Sequence, residues 1–103
     1  MSLDNNNLET IIMTIISNAG TAKSLAIEAI RNVKDKNKDL AKENIEEARK
    51  LLNKAHNAQT QLLHSEAAGD GVDVSLLLVH AQDHLMTSIT TVDIVSELIE
   101  IFD

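Results

Sequence analysis

The chain of 103 residues has no cysteine, no proline, no tryptophan and no tyrosine, and its one phenylalanine is Phe102. Without cysteine it has neither disulfide bonds nor a thiol nucleophile. With so few aromatic residues, its core must be built from Leu, Ile, Val, Ala and Met side chains. The absence of proline and the abundance of alanine favour an all-α protein. The length corresponds to a single domain covering residues 1–103.

Positive charge is also scarce. Nine Lys and Arg residues stand against 16 Asp and Glu residues, which gives a formal net charge of -7. Such a balance disfavours nucleic acid, whose phosphates attract basic surfaces, and it disfavours an anionic membrane surface. No apolar run reaches transmembrane length without polar interruption, and no signal peptide is recognisable. We therefore expect a soluble cytoplasmic protein.

Apolar residues recur at helical spacing in three segments. The predicted helices cover about residues 8–33, 39–67 and 74–102. Asn37 or Asp39 is expected to cap the second helix, and Asp73 or Ser75 the third, while Gly69-Asp70-Gly71 ends the second. Short polar connections favour antiparallel neighbours, so the sequence predicts an antiparallel three-helix bundle.

The third predicted helix has more apolar surface than one seam of such a bundle can cover. One heptad-like line consists of Leu78, Ala81, Leu85, Val92, Val95, Ile99 and Phe102. A second set lies off that line and consists of Leu77, Met86, Ile89, Ile94 and Leu98. Because exposed apolar surface of this extent marks an interface, we expect a homo-oligomer with the third helices at its centre. The periodicity leaves the number of copies open.

A polar stripe interrupts this apolar helix. His80, Asp83, His84 and Thr87 are three or four residues apart, so they share one face. Unpaired polar groups are costly to bury, and the stripe therefore needs partners or a chemical role. A hydrogen-bonded core histidine is the alternative for His80. An ion pair is a weak alternative for Asp83, because the third helix contains no Lys or Arg.

His80 and His84 also have a His-x-x-x-His spacing that suits zinc on a helix. The zinc-hydrolase form needs a glutamate directly after the first histidine. Ala81 stands there, so a hydrolase would lack its general base. A non-catalytic helical oligomerisation module that binds a transition metal through the histidine stripe remains an alternative function.

The stripe belongs to a longer motif, His80-Ala81-Gln82-Asp83-His84-Leu85-Met86-Thr87-Ser88. Two further stretches accompany it, Ala55-His56-Asn57-Ala58-Gln59-Thr60 and Ala19-Gly20-Thr21-Ala22-Lys23-Ser24. Together they resemble the IIA component of the lactose/cellobiose class of the bacterial sugar phosphotransferase system. The nine-residue motif is specific, and the resemblance covers nearly the whole chain.

The resemblance implies a phosphocarrier that assembles as a homotrimer, a bundle of nine helices. It implies that His80 accepts a phosphoryl group from the histidine phosphocarrier protein and passes it to a cysteine of the cognate IIB protein. The membrane IIC component would handle the sugar. An isolated histidine side chain has a pKa of about 6.5, which leaves a neutral nitrogen nucleophile at cytoplasmic pH. No glycine-rich nucleotide loop is present, and this favours a protein donor.

Further residues follow from the same resemblance. We expect the pocket around His80 to include His84, Gln82, His56, Gln59 and Thr87. His64 matches no motif and is expected at the surface, while Met13 and Met86 are expected in the core rather than as ligands.

Asp83 is the candidate metal ligand. If third helices meet at a three-fold axis, three copies of Asp83 would converge, and such a cluster needs protons or a cation. Oxygen ligands favour a hard ion such as Mg²⁺. The resemblance places a structural metal at this aspartate, at the centre of the trimer.

The Gly69-Asp70-Gly71 turn and the Val-His-Ala-Gln form of the motif are more similar to cellobiose or diacetylchitobiose members than to lactose members. Two features depart from the family. The chain ends in Glu100-Ile101-Phe102-Asp103 where a basic tail is frequent, and Lys23 stands where arginine is common. Both departures concern the docking of partner proteins.

Overall fold

The computed structural model describes the backbone of residues 5–102 and the side chains of residues 7–102. It contains three α-helices, α1 (Asn5–Lys34), α2 (Lys38–Ala67) and α3 (Leu76–Ile101). No strand occurs in this described part, which confirms the all-α prediction. α1 begins three residues before the predicted start, and α3 begins two residues after it.

Side chains set where α2 and α3 begin. The side chain of Asn37 accepts a hydrogen bond from the Leu40 N–H at 3.3 Å, and Ser75 Oγ accepts one from the Leu78 N–H at 3.1 Å. Both bonds satisfy amide groups that the first turn of a helix leaves free. After α2, Gly69 adopts a φ of +90°, a conformation that glycine reaches without steric cost. The caps therefore confirm one candidate from each predicted pair.

Contacts between the helices establish their directions. Arg49 and Gln59 of α2 contact Asp93 and Gln82 of α3, respectively, so residue numbers rise along one helix as they fall along the other. The end of α1 meets the start of α2, where Asn32 Nδ2 donates to Asn44 Oδ1 at 2.6 Å. Both neighbouring pairs are antiparallel, as predicted, and they form a rod of 50 × 19 × 18 Å.

The core lies between the three helices and is built from small and branched aliphatic residues. Its fully buried positions include Ile15, Ala19, Ala22, Ala26, Ala41, Ala48, Ala55, Ala81, Leu85 and Val92. The heptad-like line of α3 is buried from Ala81 to Ile99, while Leu78 is half-buried. Phe102 does not continue this line, because it lies beyond the last helical residue and is 64% exposed.

Both methionine predictions were wrong for the single chain. Met13 is 53% exposed and Met86 is 48% exposed. Each sits on the outer side of its helix, since the buried positions Ile12 and Leu85 precede them directly and one residue step turns a helix by about 100°. Apolar side chains in such positions are available to a partner.

α1 requires one correction to the sequence-based expectation. Residues 7–34 are long and apolar enough to cross a membrane by length and composition alone. In the bundle, however, Ile15, Ala19 and Ala22 are buried against the other helices, whereas Lys23 and Glu28 are exposed. This amphipathic division is typical of a bundle helix rather than of one surrounded by lipid.

Candidate functional site

His80 and His84 form a close pair on α3. Their Nε2 atoms lie 3.1 Å apart, their ring centroids lie 4.5 Å apart, and their ring planes meet at 84°. His80 is exposed and His84 is half-buried. The pairing follows from the helix, because residues four apart lie one above the other on the same face. The structure therefore brings together two of the predicted site residues.

This geometry requires different roles for the two rings. At 3.1 Å one Nε2 carries a hydrogen and donates it, while the other accepts with its lone pair. A neutral ring that accepts at Nε2 carries its own hydrogen on Nδ1. The accepting ring is thus held in the tautomer that leaves Nε2 nucleophilic.

Thr87 and Asp83 lie on the same exposed side of α3, and within the described part of the chain neither side chain forms a hydrogen bond with the ring of His80 or His84. Thr87 Oγ1 donates to the backbone carbonyl of Asp83 at 2.8 Å, so its hydrogen is already in use. Asp83 is exposed. Both side chains remain available to a second copy of the chain or to a partner.

Gln59 and Gln82 form a separate contact between α2 and α3. Gln59 Nε2 donates to Gln82 Oε1 at 2.9 Å, and Gln59 is only 8% exposed. Gln82 is two residues from both His80 and His84, and two residues turn a helix by about 200°. The glutamines therefore lie on the opposite side of α3 from the imidazoles, where they join the two helices.

His56 lies in a shallow groove between α2 and α3, together with Asn53, Ile89 and Asp93. Asp93 also accepts a 3.0 Å contact from Arg49 Nη1, so this groove carries both signs of charge. Within one chain, the five side chains expected around His80 are thus divided over three places. No motif or spacing in the sequence marks Arg49 or Asp93.

Few side chains near Asp83 could bind a metal ion together with it. Among the described residues, no three His, Asp or Glu side chains of one chain converge on a common point. One exposed carboxylate supplies at most two oxygen ligands, whereas Mg²⁺ takes six. A magnesium site at Asp83 with more than one protein carboxylate therefore needs several chains to contribute to it, with water in the remaining positions.

Comparison with known proteins agrees with these features. The family model described as PTS system, Lactose/Cellobiose specific IIA subunit matches residues 10–103. The lichenan-specific phosphotransferase enzyme IIA component of Bacillus subtilis is 40% identical over 96% of this chain and 90% of its own length. The PTS system lactose-specific EIIA component of Staphylococcus epidermidis is 36% identical over 97% and 96%, respectively.

A solved structure extends the comparison to the fold. The IIA(Chitobiose)–HPr complex of the N,N'-diacetylchitobiose branch of the Escherichia coli phosphotransferase system contains a similar chain. It has a TM-score of 0.78 and 42% identity and covers 92% of each chain. The match over nearly the full length, together with the bundle and the motif, means that this chain belongs to the lactose/cellobiose-specific IIA family of the phosphotransferase system.

Proposed function

We propose that His80 is the residue through which this phosphoryl carrier accepts its phosphoryl group from HPr. The observation that carries the proposal is the exposed His80 imidazole, whose Nε2 lies 3.1 Å from that of His84. An exposed ring can be reached by the phosphorylated side chain of another protein. Family membership and the related complex with HPr support the donor. They do not favour the alternative of a non-catalytic module that binds a transition metal.

The proposed transfer uses both rings. The lone pair of His80 Nε2 attacks the phosphorus atom held on HPr, a new N–P bond forms, and the bond to the donor breaks with its electron pair returning to the donor. As the lone pair of His80 is taken up, the His84 Nε2–H turns from that nitrogen to a phosphoryl oxygen. Hydrogen bonds to charged oxygens are stronger than neutral ones. Positioning and charge stabilisation of this kind dominate phosphoryl transfer.

The next step passes the group to a IIB protein. This chain has no cysteine, so a cysteine acceptor must belong to the partner. We infer that the sugar is a β-disaccharide of the cellobiose or diacetylchitobiose type, handled by the membrane IIC component. The form of the motif and the similar chain from the N,N'-diacetylchitobiose branch support this choice, while the lactose-specific relative makes lactose the sugar to test against it. Because the partners proposed for this exchange are soluble proteins, we infer that it takes place in the cytoplasm.

The outer face of α3 supports assembly as a homotrimer. Apolar residues three, seven or eight positions apart follow this face and are exposed in the single chain: Leu76, Val79, Met86, Ile94 and Ile101. Repeats of this kind pack helices against one another. Asp83 lies on the same face between Val79 and Met86. In the proposed trimer three copies of Asp83 would hold a structural Mg²⁺, which would offset two of their three negative charges and take no part in the transfer.

Intact mass spectrometry tests the phosphoryl carrier. The chain is incubated with phosphoenolpyruvate, enzyme I and HPr, and His80→Gln is treated in parallel. We expect one acid-labile phosphate per wild-type chain and none on His80→Gln. His64→Gln is the matched control, because His64 is an exposed histidine of α2 outside the motif. A His80→Gln chain that gains phosphate as readily as the control would refute the assignment.

A further inference from the structure

We propose that His80 and His84 form a two-histidine binding site for a transition metal ion, with Zn²⁺ as the principal ligand, and that metal bound there blocks phosphorylation of this chain. Metal binding at this site depends on the positions of the two rings and not on the proposed role of His80. Blocking rests on the proposed role of His80. The two halves are therefore tested by separate measurements.

The separation of the two nitrogen atoms is what a chelated metal requires. Zinc lies about 2.0–2.1 Å from an imidazole nitrogen. When the two nitrogens are 3.1 Å apart, bonds of that length enclose an angle of about 100° at the metal. This value lies between the right angle of octahedral or square-planar coordination and the tetrahedral angle. The backbone of α3 can thus stay in place while the two rings turn to point both lone pairs at one ion.

The protons can be rearranged without a co-reactant. One hydrogen now lies between the two Nε2 atoms, and metal binding requires both lone pairs. The ring that carries that hydrogen releases it to water and takes one up at Nδ1, so each ring ends neutral with its hydrogen on Nδ1. No net proton is gained or lost, and two N–metal bonds replace one hydrogen bond.

The surrounding charge favours a cation. Asp83 lies within three residues of both rings, and α3 has no Lys or Arg. The whole chain has a net charge of -7. Imidazole suits Zn²⁺, Cu²⁺ and Ni²⁺, whereas Mg²⁺ prefers oxygen ligands. The histidine pair and the proposed carboxylate site at Asp83 therefore select different ions.

Two protein ligands leave the remaining coordination positions to water. Structural zinc sites are closed by four protein ligands, while sites with open positions exchange what they hold. The histidine pair is therefore a reversible site and not part of the scaffold. While a metal occupies His80 Nε2, that lone pair cannot attack phosphorus. Once Nε2 carries a phosphoryl group, it has no lone pair for the metal, so the two ligands exclude each other.

Calorimetric titration with Zn²⁺ tests binding. The full chain is stripped with chelator and then titrated in saturating Mg²⁺, which fills any site built from carboxylates. We expect one Zn²⁺ per chain and at least about tenfold weaker binding to His84→Gln and to His80→Gln, because losing either ring removes the advantage of a second ligand on the same helix. His64→Gln should bind like the wild type.

Three outcomes would overturn binding. The first is that His84→Gln binds Zn²⁺ with the affinity of the wild type. The second is that His64→Gln loses as much Zn²⁺ affinity as the two variants of the pair. The third is one Zn²⁺ per three chains, which would mean that the ligands come from different copies. Circular dichroism of each variant confirms that it is folded. Side-chain ¹⁵N spectra provide a second readout, in which Zn²⁺ should shift Nε2 of both His80 and His84.

Phosphorylation by phospho-HPr tests blocking. HPr is phosphorylated first and freed of metal, and its transfer to this chain is followed with and without saturating Zn²⁺. We expect at least about a tenfold slower transfer with Zn²⁺ and full recovery after chelator is added. An unchanged rate at saturating Zn²⁺ would refute blocking while the titration stands. No phosphate on His80 in the absence of Zn²⁺ would instead refute the proposed function.

Discussion

The side-chain amide of Gln59 donates a 2.9 Å hydrogen bond to the side-chain oxygen of Gln82, and this bond joins α2 to α3 on the side away from the histidine pair. Both glutamines belong to stretches that resemble the family's motifs. Their contact holds α3, the helix that carries His80, against α2. Gln59 is nearly buried, so its amide depends on this partner.

Replacing Gln82 with alanine should therefore destabilise the bundle. The substitution leaves the buried Gln59 amide without its acceptor, which costs about 1–3 kcal/mol. The free energy of unfolding in urea measures this loss, at equal chain concentrations because an assembling protein gains stability with concentration. Gln61→Ala, an exposed glutamine of α2, is the control and should change stability by less than about 0.5 kcal/mol. Equal effects of the two substitutions would contradict the role of the bond.

Gly69 is the second position where a single substitution has a defined cost. Its φ of +90° is strained for any residue with a Cβ, and no neighbouring atom lies within 4 Å of an added Cβ. Gly69→Ala should thus destabilise the protein by about 1–2 kcal/mol through the backbone alone. Gly71→Ala is the matched control, since Gly71 has no positive φ and should lose nothing measurable. If both alanines lower the urea midpoint equally, the left-handed conformation is not the cause.

The proposed trimer predicts that Ile94 is buried between chains. Ile94 is 55% exposed in the single chain. Ile94→Lys would bring three charges together at an apolar interface, where unpaired charge is costly, and should dissociate the trimer. Ile27→Lys places the same charge on an exposed position of α1 and should leave assembly intact. Sedimentation analysis distinguishes the two. A wild-type chain that sediments as a monomer would contradict the proposal directly.

Removing divalent metal tests the role of Asp83. In the proposed trimer, three carboxylates without a cation repel one another, so a chelator should lower the thermal midpoint of the wild-type trimer. Asp83→Asn, prepared with Mg²⁺ as the only divalent ion, should no longer respond to the chelator. Asp93→Asn is the control, because Asp93 is an exposed aspartate that pairs with Arg49, and this variant should respond like the wild type. A chelator effect that persists in Asp83→Asn would place the metal elsewhere.

The helices and their order could be predicted from the sequence because each follows from local chemistry. Apolar periodicity predicted three helices, and the structure confirms them with boundaries that differ by at most three residues. Asn37 and Ser75 could each be named as one of two capping candidates, since a side-chain oxygen just before an apolar repeat satisfies free amides. The pairing of His80 with His84 likewise follows from their spacing alone.

The pocket could not be predicted in the same way. A motif shows which residues recur together, but it does not show which way each side chain points. Gln82 lies between His80 and His84 in the sequence but on the opposite side of α3 from them in space. The helical period predicts this division, whereas the motif by itself does not. The location of His56 beside Asp93 depends on how α2 and α3 are aligned, and no local pattern encodes that alignment. Met86 was assigned to the core of the chain although its apolar side chain faces outward.

The most direct test of the account is to locate the phosphoryl group on the wild-type chain. The protein is labelled with ¹⁵N, phosphorylated with phosphoenolpyruvate, enzyme I and HPr, and its four histidine side chains are followed by ¹H–¹⁵N spectroscopy. We expect phosphorus to become coupled to Nε2 of His80, and the side-chain signals of His84 to shift without any coupling to phosphorus. Phosphate on His84, His56 or His64, or a phosphorylated Nδ1 at His80, would contradict it.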